Sequence, residues 1–415
     1  LPLEAFHHAT AANDIERAER LIGQKGMPLH FRGTATTIQD WIESLPAPVL
    51  ETRPSLEVRH ATLSLVAGQT TGVEERLQTA EAALLTSEMD DRARDLIGQI
   101  AAARATLALT EYQPEAMIAQ SRRALEHLRP DNLAFRFTAY WALGNAHLLQ
   151  GDRVAAGRAY EEAISISRAS GDVFSMMVAA GGLGEVQELE NQLYAAAETY
   201  RRVLQLSGDQ PLPAASEAHL GLARILYEWN DLDGAQQHGE QSLPLAHQYD
   251  SGLDRFVICE VFLARLKLAQ GDVTSAAAML AQTSETVRRR QFVHRAPEVA
   301  AVQVVTLIRQ SNLKAAADLA KAHNLPLGQA RVHLAKGDTG QAMAGLAPRW
   351  QQLQAQGWRD ELLKVMVLQA VALYVHGEKD EAVQVLGEAL TMAEPGGFVR
   401  TFIDEGAPMA HLLSE

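Results

Sequence analysis

The chain has 415 residues, 37 basic and 51 acidic, for a formal net charge of −14. That excess argues against direct contact with nucleic acid or an anionic membrane, since both polyanions would be repelled. Hydrophobic residues make up 47% but aromatics only 6%, a composition that suits close-packed helices rich in Ala and Leu. The single cysteine, Cys259, excludes an internal disulfide, argues against a Cys-based metal site and fits a reducing cytoplasm. No uncharged apolar run reaches about 18 residues, so no transmembrane helix is expected. The N-terminus lacks the basic and apolar regions of a signal peptide. The chain also lacks an initiator Met and begins within a helical pattern, which reads as a fragment of a longer protein.

In chain order, residues 3–21 read as a helical hairpin around Asn13-Asp14. Pro46, Pro48 and Pro54 interrupt the helical pattern beyond it; a helix restarts over 55–67, with its partner within 68–85. The rest of the chain is organised around residues 139–166, two helices hinged at Gly151-Asp152. A small residue recurs about one helical turn after such hinges: Ala18, Ala116, Ala156, Ala196, Ala235, Ala276, Ala316, Ala342 and Ala382. From Ala116 to Ala316 the steps are 40, 40, 39, 41 and 40, and from Ala342 to Ala382 again 40. The step of 26 between Ala316 and Ala342 predicts one unit with a shortened first helix.

The hinges are Asn13-Asp14, Gly151-Asp152, Asn230-Asp231, Gly271-Asp272, Gly337-Asp338 and Gly377-Glu378. Gly or Asn ends a helix in the left-handed conformation, and the acidic residue then accepts orphan N–H groups of the next helix. In the first helices Gly144, Gly184, Ala223, Ala264 and Ala370 are expected to face these alanines, because helices approach to about 8 Å only where side chains are short. Tyr160, Tyr200, Leu280 and Leu386 fill the remaining groove.

Leu143-Gly144, Ala156, Tyr160 and Ala163 resemble the signature of the tetratricopeptide repeat, as do Leu183-Gly184, Ala196 and Tyr200, with Val203 replacing the last Ala. The family's period is about 34; the longer step here implies longer helices or turns, such as Gly171-Asp172 and Gly208-Asp209. The expected fold is all-α, a right-handed superhelix of stacked helical hairpins over 1–393. The segment 394–415 is expected to cap it: Glu394-Pro395-Gly396-Gly397 stops the last repeat helix, and the apolar residues beyond dock on the last repeat.

His7-His8-Ala9 with Ala11-Ala12-Asn13-Asp14, then Trp41-Ile42-Glu43-Ser44-Leu45-Pro46 and Arg53-Pro54-Ser55-Leu56, and finally the run from Gly397 through Phe398, Arg400, Phe402 and Asp404 to Gly406, occur in a specific order. Together they resemble the large ATP-binding LuxR-type transcription regulators of the maltose-regulon activator type. The resemblance implies a cytoplasmic sensor region between a nucleotide-binding module and a helix-turn-helix, whose inducer or partner biases the parent between inactive and self-associating states. No G-x-x-x-x-G-K-[ST] loop is present and no helix-turn-helix fits before Glu415. The piece itself is therefore expected to be neither an enzyme nor an operator binder, and to need no cofactor or metal. Expected partners are a small-molecule inducer or a protein, other domains of the parent, and a second copy.

Helical arrays of this kind bind along the face that first helices line. Counting from each first-helix small residue selects Trp141, Asn145 and Leu148; Gly181, Glu185 and Glu188; Glu217, Leu220, Arg224 and Tyr227; and Val261, Arg265 and Leu268. Trp141, Asn145, Glu185, Glu188, Arg224, Tyr227 and Arg265 form the candidate ligand set, offering ring stacking and charge-assisted hydrogen bonds to a polar small molecule. The competing readings are an ordinary intramolecular ion network for Glu185, Arg224 and Arg265, and a scaffold face that docks a peptide or helix. Arg288-Arg289-Arg290, with His294 and Arg295, reads as a solvated helix end, with an acidic partner as the alternative. His7-His8 point to different helix faces and make a poor metal pair. Cys259 reads as a packed thiol.

Overall fold

The structure, a computed structural model, describes residues 2–22, 32–85, 89–208, 212–248 and 254–415. Among them every regular element is helical, and no helix is long and apolar enough to cross a membrane. The helices begin with α1 (Pro2–Ala11), α2 (Ile15–Ile22), α3 (Arg32–Glu43), α4 (Ala47–Glu51), α5 (Pro54–Val66) and α6 (Val73–Leu85). They continue as α7 (Asp91–Thr110), α8 (Pro114–His127), α9 (Leu133–Gln150), α10 (Arg153–Ser170), α11 (Val173–Leu189) and α12 (Leu193–Ser207). Next come α13 (Ala215–Glu228), α14 (Leu232–Gln248), α15 (Arg255–Ala269), α16 (Val273–Arg289), α17 (Ala296–Arg309) and α18 (Leu313–Ala322). The last are α19 (Pro326–Lys336), α20 (Thr339–Gln356), α21 (Arg359–His376), α22 (Lys379–Ala393), α23 (Arg400–Ile403) and α24 (Ala407–Leu412). They form two compact units, one up to Gly182 and one from Leu183 onward. In each, successive helices pair into hairpins and the hairpins stack, so the fold is an all-α helical repeat.

The hinge residues take the conformation that their chemistry allows. Asn13, Gly151, Asn230, Gly271, Gly337 and Gly377 have φ between 54° and 104°, the left-handed region that terminates a helix. Asp14, Asp152, Asp231 and Asp272 then accept the N–H of Arg17, Ala155, Gly234 and Ser275, each at 3.0 Å. Asp338 and Glu378 make no such bond, so these two act only through their charge at the helix start. Three further hinges carry no Gly-acidic or Asn-Asp pair, and two of them, at Tyr112 and Ser311, are silent in the sequence. Tyr112 and Ser311 reach φ of 54° and 59° with ordinary side chains, and Asn191 reaches 59° with the side chain that favours it.

Eight of the nine marker alanines are completely buried: Ala18, Ala156, Ala196, Ala235, Ala276, Ala316, Ala342 and Ala382. Ala116 corrects the pattern. It is only half-buried, and the fully buried residue four places after the hinge is Met117. The 26-residue step corresponds to a short first helix, α19, and also to a short α18, of 11 and 10 residues.

What the first-helix glycines admit is the tyrosine ring, more than the alanine opposite. A Cβ added at Gly144 would lie 2.6 Å from Tyr160 Cε1, and one at Gly182 would also strike that ring. In the second unit Tyr200 sits between Gly184, whose added Cβ would lie 2.5 Å from Cε1, and Gly221. Each ring thus fills the gap between its own first helix and that of the next hairpin. A void there would forfeit the dispersion contacts of a large aromatic. In α13 Gly221 is the counterpart of Gly182, meeting the ring of the preceding hairpin, and Ala223, two positions on like Gly184, is completely buried. The chain's end packs on α21 and α22, where Phe402, Met409 and Leu412 join the core of Leu363, Val367 and Leu386.

Candidate ligand-binding face

In the second unit the end of α11 and the first helices α13, α15 and α19 bring Glu188, Arg224, Arg265 and Arg331 to one face. Arg224 on α13 sends both arms of its guanidinium to Glu188 on α11, Nε to Oε2 at 2.9 Å and Nη2 to Oε1 at 2.7 Å. The Tyr200 hydroxyl donates to the same carboxylate at 2.6 Å. Burial works against the Arg224 charge, but Glu188 beside it holds the proton more tightly than usual. Burial, then Glu188, pushes the Tyr200 phenol well up. Glu185 lies one turn before Glu188 and is exposed. The protein packed around it raises its carboxyl by desolvation, with Arg224 opposing.

One hairpin further, the tail arrives. The Tyr227 hydroxyl donates to Asp404 Oδ2 at 2.6 Å, and Arg265 stands 3.5 Å from the same oxygen. The Arg265 guanidinium lies over the Tyr227 ring at 4.4 Å, and Arg400 lies over it at 5.2 Å. Burial and the Asp404 charge raise the Tyr227 phenol to about 12. Arg265 also donates to Glu228 at 3.2 Å. Arg331 on α19 pairs with Glu405. The indole of Trp229, stacked on Tyr194 with centroids 4.9 Å apart, donates to the Gly396 carbonyl at 2.8 Å. The segment expected to cap the last hairpin therefore also reaches back to α13.

Of the seven candidates, Glu188 with Arg224 and Tyr227 with Arg265 are brought together in pairs, and Glu185 lies electrostatically close to the first pair. Trp141 and Asn145 belong to the first unit. There Asn145 Nδ2 donates to the Trp141 carbonyl of its own helix at 2.8 Å, and both side chains are half-buried. The same counting rule also selected Leu220, Val261 and Leu268, which are buried core, and Glu217, which pairs with Arg255. The basic cluster is largely committed within the chain: Arg295 and His294 to Asp254, Arg288 to Glu285, and Arg290 over the Phe256 ring. Cys259 is buried and accepts a hydrogen bond from the Ser242 hydroxyl, and burial raises its thiol. Sequence reasoning missed Glu228, Trp229, Arg331, Asp404 and Glu405. The only signal for the last two was their place in the tail motif.

Stacked antiparallel hairpins with buried small residues after each hinge define a helical-repeat protein of the tetratricopeptide kind. The MalT-like TPR region matches residues 98–415, and the chain belongs to that family. It is 24% identical over 435 residues to the HTH-type transcriptional regulator MalT of Serratia proteamaculans, covering 100% of this chain and 47% of that protein. It is 23% identical over 436 residues to the Yersinia pestis protein of the same name, with the same coverage. The chain thus spans about half the length of the curated relatives it matches. Among solved structures it is similar to a Rap protein complexed with competence and sporulation factor, with TM-score 0.65, 12% identity, and 83% and 98% of the two chains covered. It is also similar to the apo quorum sensor NprR from B. thuringiensis, with TM-score 0.51, 11% identity, and 94% and 97% covered. At those identities the likeness establishes the fold alone.

Proposed function

We propose that the chain is the sensor region of a bacterial transcription regulator, a regulatory rather than catalytic piece. It takes a ligand or partner on the first-helix face of its second unit, and that occupancy controls the parent's self-association. The observation that carries this reading is the placement of Arg224, Arg265 and Arg331 on one face of an acidic protein, with side chains 29–40% exposed. Half-exposed arginines held rigid by carboxylate partners are pre-organised donors for a polar ligand. Family membership supports the regulatory context, and the relatives' names supply the expectation of a DNA-binding parent.

The test is a thermal-shift screen of soluble metabolites against the whole chain, followed by analytical ultracentrifugation. A metabolite that raises the melting point should lose its effect in the paired variant Glu188→Gln with Arg224→Gln, whose fold circular dichroism checks. If no metabolite shifts the chain and its association state never responds, the small-molecule reading is wrong. A second reading, a face that docks a peptide, draws support from the tail, whose main chain is contacted there. NprR, a neighbour in fold, has been solved in complex with its cognate peptide NprX.

A further inference from the structure

Residues 396–405 lie on the first-helix face of the second unit as a bound peptide lies on a receptor. Three main-chain groups are contacted. The Gly396 carbonyl accepts from the Trp229 indole at 2.8 Å, the Val399 N–H donates to the Glu228 carbonyl at 2.8 Å, and the Thr401 N–H donates to the Glu228 carboxylate at 3.0 Å. Two acidic side chains are contacted as well. Asp404 takes the Tyr227 hydroxyl at 2.6 Å and Arg265 at 3.5 Å, while Glu405 takes Arg331 Nε at 3.2 Å. Main-chain bonds hold any backbone, and the two arginines select carboxylates. The fit is close at Gly397, where an added Cβ would lie 2.8 Å from the Tyr194 hydroxyl. The partners lie 74 to 177 residues back along the chain, so local sequence does not impose the contact.

We infer that this face is a receptor for an acidic peptide segment, that residues 396–405 are its built-in occupant, and that a partner segment of the same chemistry displaces them. This rests on the sensor reading above and narrows its ligand to a peptide. The mechanics come from the packing. The short helix α23 touches both α13 and α21, whereas α24 stays on α21 through Met409 and Leu412. Displacement therefore breaks a strap between the first and last hairpins that α23 joins, while the chain's end stays anchored. Occupancy of the face and the position of the tail are thereby coupled.

The probe is a fluorescent synthetic peptide with the sequence of residues 396–406, used with the full 415-residue chain. Asp404→Asn with Glu405→Gln loosens the strap, so this variant should bind the probe about tenfold more tightly than the unaltered chain, whose face is self-occupied. Adding Arg331→Gln to that variant should weaken binding again by about tenfold, and a scrambled peptide should bind about tenfold more weakly than the probe. In the unaltered chain, which needs no variant to fold, saturating probe should speed amide hydrogen exchange at Val399 and Thr401. Equal affinity of the loosened and unaltered chains, equal binding of the scrambled peptide, or unchanged exchange at saturation each overturns the inference. A metabolite that raises the melting point while the probe fails to bind leaves the sensor reading standing and ends the peptide one. Strap displacement by the probe with no metabolite effect sustains the inference.

Discussion

The Tyr200 hydroxyl and the Glu188 carboxylate are joined at 2.6 Å, and the carboxylate is simultaneously held by both arms of Arg224. A ring that serves as a packing wedge thus also fixes a charged residue of the candidate face. Arg224→Ala leaves Glu188, with its side chain only 14% exposed, without its cation. The expected loss is about 1–2 kcal/mol, less than for a fully buried pair because Arg224 is partly solvated. Glu188→Gln with Arg224→Gln should cost less than half of that, because no unpaired charge remains. Urea midpoints of the three proteins check the order; an equal or larger loss in the double variant contradicts it.

Gly221 and Gly345 separate the two roles of helix glycines in this chain. An added Cβ at Gly221 strikes the Tyr200 ring, whereas at Gly345 nothing lies within 4 Å. Gly221→Ala should destabilise by about 1–3 kcal/mol through overpacking. Gly345→Ala should stabilise by about 0.5–1 kcal/mol, because Ala loses less backbone entropy in a helix. Thermal unfolding of the two variants gives the signs directly; the same sign for both would refute the wedge.

At the hinges, Ser311 holds φ 59° with a side chain that strains it, while Gly377 holds φ 104° without one. Ser311→Gly should therefore stabilise, and Gly377→Ala destabilise by about 1–2 kcal/mol. Denaturant titration tests both, and a neutral Gly377→Ala would mean the hinge relaxes out of the left-handed region.

His219 and His238 face each other with their Nδ1 atoms 2.9 Å apart. Burial, then the neighbouring His238, lowers His219 from 6.5 to about 4. The unfolded chain takes up this proton near pH 6.5 and the folded chain resists it, so the contribution is present above pH 6.5 and is lost as pH falls toward about 4. In His219→Gln, the slope of stability against pH across that window should be shallower than in the unaltered protein. Superimposable slopes would show that the pair does not titrate this way.

The repeat, its hinges and its buried alanines were legible in the residues because each depends on a local rule. Gly or Asn supplies a left-handed hinge, an acid caps the next helix, and a small residue permits close approach. The same locality explains the misses. Tyr112 and Ser311 adopt the hinge conformation because stacking demands it, with no propensity to announce it. The Ala116 register slipped because Met117 fits the same gap. Counting from small residues placed Glu188, Arg224, Tyr227 and Arg265 on one face, since helical periodicity sets direction. It could not pair them, because an ion pair such as Arg224 with Glu188 joins residues on different helices. Nor could it bring Asp404 to Tyr227 or Glu405 to Arg331. Those contacts close across 177 and 74 residues, and only the curvature of the stacked hairpins, a sum of small packing rotations, decides that the ends of that span meet.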